Sequence, residues 1–69
     1  MHTTYHAPHG RTAILTALDT VEIDDMWGTT ETVAVLTIGD EMREMRVLDM
    51  TPEDLTCEDA DGIEHYFWR

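Results

Sequence analysis

Sixty-nine residues carry fifteen Asp and Glu against four Arg and no Lys, for a formal charge of −11. Charge of that sign repels nucleic acid and anionic lipid and so excludes direct binding to either, while the length admits one small domain. An apolar share of 42% is too high for the charge-rich disordered class, so the chain is expected to fold.

Residues 1–10, MHTTYHAPHG, have no apolar period and contain Pro8 and Gly10. They read as an arm, mobile unless Tyr5 docks, ahead of a single domain over residues 11–69. From Arg11 the odd positions Ala13, Leu15, Ala17, Val21 and Ile23 alternate with Thr12, Thr16, Thr20 and Glu22, as in a long half-buried strand. Ile14 and Leu18 break the alternation, and with Val21 they would also share one helix face. The Thr-rich, β-branched composition favours the strand, with a bend near Asp19.

Residues 24–30 (DDMWGTT) read as a turn, and Glu31 to Ile38 (ETVAVLTI) as the clearest strand. Gly39-Asp40 supplies a tight hairpin, and Glu41 to Asp49 returns as the next strand. A loop of those two residues sets Ala34 opposite Met45, Thr32 opposite Val47 and Leu36 opposite Arg43. The core face then holds Ala34, Leu36, Ile38, Met45 and Val47. Val33, Val35, Met42 and Leu48 line the other face, beside Glu44 and Arg46.

Thr51-Pro52-Glu53-Asp54-Leu55 carries the signature of a helix start: a capping hydroxyl, Pro at the first helical position and acids against the helix dipole. Asp61-Gly62 ends that turn early. Ile63 to Arg69 resembles a last strand, with Ile63, His65 and Phe67 on one face and Glu64, Tyr66 and Trp68 on the other. The expected fold is β-rich, of the α+β class. It is a small antiparallel sheet of about four strands with one short helical turn, with partial closure into a barrel left open.

No arrangement of residues offers catalysis. Lone Cys57 has acids after it, which raise a thiol pKa and make a poor nucleophile. The paired acids fall in turns, where water solvates them, and no nucleophile elbow, phosphate loop or CxxC motif is present. His2, His6 and His9 have metal-like spacing, but Pro8 and Gly10 oppose the helix that would gather them. Residues 57–62 have the spacing of a calcium loop, yet Cys57 and Trp68 stand where oxygen ligands are needed. The chain is therefore expected to be no enzyme and to hold no metal or cofactor.

Uneven charge is the remaining signal. Five acids and no basic residue lie between Asp19 and Glu31, among them Asp24 and Asp25. Asp49, Glu53, Asp54, Glu58, Asp59, Asp61 and Glu64 form a second run without Arg. Two such rows on a compact sheet could imitate a phosphate track, which carries one charge per about 1.7 Å of duplex axis. Trp27, Tyr66 and Trp68 would supply short-range anchoring. The expected partner-binding residues are Asp24, Asp25, Trp27, Glu53, Asp54, Glu58, Asp59, Asp61 and Glu64.

In size, acidity, β-rich compactness and lack of an enzymatic motif, the chain resembles the small phage proteins that mimic DNA, the anti-CRISPR and anti-restriction inhibitors. The resemblance implies a partner with a basic surface in a nucleic-acid-binding complex, such as a CRISPR effector, blocked by a monomer or small homo-oligomer. Two alternatives stand beside it: a small regulatory or adaptor module, and a salt-adapted domain whose acids only keep it soluble. A lone thiol, no basic-then-apolar leader and no apolar run near 18 residues lead to a cytoplasmic expectation, in the host cell if the chain is phage-encoded.

Overall fold

The computed structural model describes residues 2–24, 26 and 28–69, and for 23 and 24 the backbone alone. Six strands occur among the described residues: β1 (Thr3–His6), β2 (Thr12–Asp24), β3 (Thr29–Ile38), β4 (Glu41–Met50), β5 (Asp54–Glu58) and β6 (Glu64–Trp68). Each pairs antiparallel with the next, and β6 returns to β1, so the sheet closes into a barrel. An even number of strands lets this meander close with antiparallel partners throughout. The expectation of an antiparallel β-rich domain is met, with six strands in place of about four.

The β3–β4 hairpin turns at Gly39, whose φ of 62° lies in the left-handed region. Ala34 pairs with Met45 and Leu36 with Arg43, the register read from the sequence. Ala34, Leu36, Ile38 and Met45 are buried, and Val47 packs partly against them. Tyr5, Ala7, Ala13, Leu15, Leu55, Cys57 and Phe67 complete the core. The small side chains of Ala13 and Ala34 leave room for Phe67, Tyr5 and Met45 in a narrow interior.

Three sequence expectations change. Residues 1–10 contain β1 and a 3-10 turn over Pro8–Gly10, and Tyr5 is docked at 2% exposure. The helical turn at residues 51–55 does not form. Thr51 Oγ1 accepts the N–H groups of Glu53 (3.2 Å) and Asp54 (3.1 Å) and donates to Asp54 Oδ1 (2.8 Å), as a cap would. The chain then continues as β5, because Leu55 and Cys57 are both needed in the core and alternate with Thr56 and Glu58.

β2 departs most from its expected alternation. Its register with β3 slips between Leu15 and Ala17, leaving Thr16 as an extra residue whose Oγ1 donates to the Val35 carbonyl at 3.2 Å. A bulge of this kind reverses the facing of everything after it. Ala13 and Leu15 point inward, whereas Ala17 and Val21, read as their companions, are exposed. The irregularities sit at Thr16 and between Glu22 and Asp24 rather than near Asp19.

β4 accompanies β3 only as far as Val33. Beyond it, β2 and β3 continue as a two-stranded ribbon, with Asp19, Thr20, Val21 and Glu22 exposed. The molecule is accordingly long, 42 × 26 × 19 Å, with a radius of gyration of 12.3 Å. A compact chain of this length would have about 11 Å. Among the described residues no helix is long and apolar enough to cross a membrane.

Candidate functional site

Cross-strand pairing decides which acids share a face, because residues directly opposite project to the same side. One row crosses the sheet as Asp19, Val33, Arg46, Glu58 and Glu64. A second holds Asp49, Thr56 and Tyr66, and a third Asp54, Trp68 and His6. Val33 and Arg46 lie opposite the core face, so all three rows are on the barrel exterior. Asp49 belongs there because a second bulge, between Val47 and Asp49, restores it to the face of Arg46.

The outer face of β4, β5 and β6 therefore combines Asp49, Asp54, Glu58 and Glu64 with exposed aromatic rings. Tyr66 and Trp68 stack with centroids 5.8 Å apart, and His6 extends the series across the seam at 6.3 Å from Trp68. Tyr66 and Trp68 are 49% and 37% exposed, so the stacked pair presents its ring area on this face.

The carboxylates are not equally available. Arg46 reaches Glu31 at 3.5 Å and also pairs with Glu58. Asp54 accepts from Thr51 and from the Tyr66 hydroxyl at 3.1 Å. That bond to a carboxylate pushes the Tyr66 phenol above its ordinary value. Among the described residues, Asp49, Glu53 and Glu64 have no cationic partner.

Asp59 has a different task from the one its neighbours in sequence suggest. Its side chain is only 8% exposed. Oδ1 accepts the N–H groups of Asp61 (2.9 Å) and Ile63 (3.0 Å), shaping the loop into β6. Oδ2 lies 2.8 Å from His65 Nε2 and 3.6 Å from Arg43 Nη2. The His65 hydrogen bond, then that from Ile63, holds this carboxyl below its ordinary 3.8. Arg43 lies opposite Leu36 and His65 opposite Cys57, both on the inner side, so the three polar groups close one end of the barrel. Asp59 serves the fold instead of presenting a free charge.

Of the other expected contacts, Glu53 and Asp61 are exposed in turns, and Asp24 ends β2 with only its backbone described. Asp25 and Trp27 lie outside the described residues. The partner-binding residues expected from sequence lacked His6 and, although it heads the second acidic run, Asp49; Tyr66 and Trp68 were expected only as anchors beside the rows. The period-two patterns of Asp54/Thr56/Glu58 and Glu64/Tyr66/Trp68 carried that signal, obscured by reading residues 51–55 as helical.

A groove of about 390 Å³ borders the acidic face, lined by Glu31, Val33, Glu44, Arg46 and Glu58 among others. A second, of about 320 Å³, lies at the seam between His6, His9, Arg11 and Trp68. Among the described residues no three His, Cys, Asp or Glu side chains are grouped to hold a metal. Cys57 is fully buried, and burial pushes its thiol up to about 11, which keeps it protonated at neutral pH. The arrangement suits recognition of cations, above all guanidinium groups, which pair with carboxylates and stack on aromatic faces. No family model, curated protein or solved structure matches this chain.

Proposed function

We propose that the chain is an acidic inhibitor that binds the basic surface of a nucleic-acid-handling complex and blocks its DNA site by charge mimicry. The supporting observation is the pairing register, which gathers Asp49, Asp54, Glu58 and Glu64 on one outer face. Asp54 and Glu58 are four positions apart on β5, so this array extends over about 13 Å. One DNA strand carries about four phosphates over that rise. Arg46 offsets one of the four carboxylates, giving somewhat less than the charge of one strand. At −11 overall, the molecule would also be steered toward a basic groove from a distance. A CRISPR effector or a restriction enzyme is the kind of target this reading selects, in keeping with the resemblance to DNA-mimic inhibitors.

The test is displacement of labelled duplex DNA from such complexes, followed by fluorescence anisotropy. Displacement is expected to weaken as salt rises. The combined substitution of Asp49→Asn, Glu53→Gln and Glu64→Gln removes three charges without an internal partner. It is expected to lower potency about tenfold at an unchanged melting temperature. Undiminished potency of that variant would refute mimicry by this face. Salt-independent binding that is lost with Trp68→Ala would favour the adaptor reading, which the exposed rings support.

A further inference from the structure

The barrel seam is incompletely paired, and hydrogen-bond parity shows where. Antiparallel strands alternate between pairs that exchange both backbone bonds and pairs that exchange none. The Arg69 N–H donates to the Glu53 carbonyl at 2.8 Å, which makes that pair a bonded one. No register shift follows along β5 and β6, so Phe67/Leu55 and His65/Cys57 are the next bonded pairs. The backbone groups of Glu64, Tyr66 and Trp68 consequently point away from β5, toward β1.

Parity on β1 gives the complementary result. The Ala7 N–H donates to the Arg11 carbonyl at 2.8 Å, so Tyr5/Ala13 and Thr3/Leu15 are bonded pairs and His6 and Thr4 face the seam. Among the described residues, His6 with Trp68 is the single residue pair that joins β1 to β6. Continuing the same register would bring Pro8 opposite Tyr66, but proline has no N–H and the chain there enters the 3-10 turn. The β1–β6 ladder among the described residues holds no pair at Tyr66 or Glu64. Among the described residues, the N–H and C=O groups of Glu64 and Tyr66 thus form a short free edge, and both residues are exposed.

A free edge is a template for another strand. A strand added beside β6 sets its outward side chains directly opposite Glu64 and Tyr66. Beside them on the same face lie Glu58, Asp54 and the stacked Trp68 ring. An arginine opposite Glu64 would meet a carboxylate without a cationic partner, and one opposite Tyr66 would lie over an aromatic face. A second copy of this chain is a poor occupant, because it brings a Glu64 edge of its own and another −11.

We propose that the free edge of β6 at Glu64–Tyr66 receives, by strand addition, an extended segment of the basic partner with arginines at alternate positions. The inference rests on the reading that the partner is basic, and adds where and in what conformation it binds.

The experiment uses the full chain and three peptides of about eight residues. One alternates Arg with Thr, one has Glu in place of Arg, and one is the Arg peptide N-methylated at alternate amides. Amide chemical shifts, hydrogen exchange and dissociation constants are measured by NMR titration. The Arg peptide is expected to shift the Glu64 and Tyr66 amides and slow their exchange, with N-methylation weakening binding about tenfold or more. Equal binding of the N-methylated peptide, or shifts confined to another part of the barrel, would overturn strand addition while leaving a basic partner in place. Equal binding of the Glu peptide would overturn both the edge assignment and the charge reading. No binding of the Arg peptide up to millimolar concentration would overturn the edge assignment, with DNA displacement still deciding the charge reading. The peptides leave the protein unaltered, so misfolding of a variant cannot imitate any of these results.

Discussion

Replacing single leucines by alanine separates the enclosed core of the barrel from the rim where β2 begins to leave it. Leu36 is wholly buried two residues before the end of β3, whereas Leu18 lies just past the Thr16 bulge at 46% exposure. Truncating a fully buried Leu removes transfer energy and leaves a cavity, costing about 2–5 kcal/mol. At about 0.05–0.15 kcal/mol per residue, the whole chain has roughly 3–10 kcal/mol of stability, so Leu36→Ala removes a large part of it. A loss of about 3 kcal/mol lowers Tm by about 12–24 °C in a domain of this size. Leu18→Ala gives up only half a side chain's burial and leaves no enclosed cavity, so about 1 kcal/mol or less is expected. Urea unfolding followed by far-UV circular dichroism gives both values from the shift in Cm at constant m. If Leu18→Ala proves as costly as Leu36→Ala, the enclosed core extends along β2 beyond Thr16 and Leu18 does not stand at an open rim.

Two further outcomes follow from groups inside the barrel. The depressed carboxyl of Asp59 contributes stability above its ordinary 3.8, and that contribution is lost as pH falls through its lowered folded value. Asp59→Asn should therefore be less stable than the parent at neutral pH and lose less on acidification, as Cm values between about pH 2 and 7 would show. Parallel acid-side slopes would refute the assignment. Cys57, with its thiol raised to about 11 by burial, should resist iodoacetamide in the native state near pH 8 and react once urea exposes it. Rapid stoichiometric labelling of the native protein would contradict its place in the core.

The hairpin from Glu31 to Met50 was legible because three local signals agree: alternating apolar residues, a Gly able to adopt positive φ, and a two-residue loop that sets the register. The same alternation was legible in the run read as Ile63 to Arg69, of which Glu64–Trp68 forms β6 and Ile63 stays exposed outside it. At Thr51 the capping chemistry was correctly identified but its continuation was not, since an ST turn and a helix cap use the same hydroxyl–amide bonds. Tertiary demand for Leu55 and Cys57 in the core selects the strand. β1 was obscured because Thr3–His6 offers only Tyr5 to the core and gains its place by pairing with residues six to twelve positions later. The acidic face depends on a bulge between Val47 and Asp49 that no composition signal marks. Counting charge along the chain picked out Asp54, Glu58 and Glu64, which share one outer face, but also counted Asp59, whose carboxylate is occupied by two amides and two basic side chains.

The ribbon beyond Val33 has a consequence for how the molecule opens. A lone pair of strands is at best marginal in water, and here the Arg46–Glu31 ion pair tethers only its base. Amides of Thr20 to Glu22 and Thr30 to Thr32 should therefore exchange with solvent through local fraying, and those of Leu36 and Leu55 only through global unfolding. Two tiers of stability in one short chain allow the outer tier to change sequence, or to reshape against a bound surface, while the barrel stays closed beneath it.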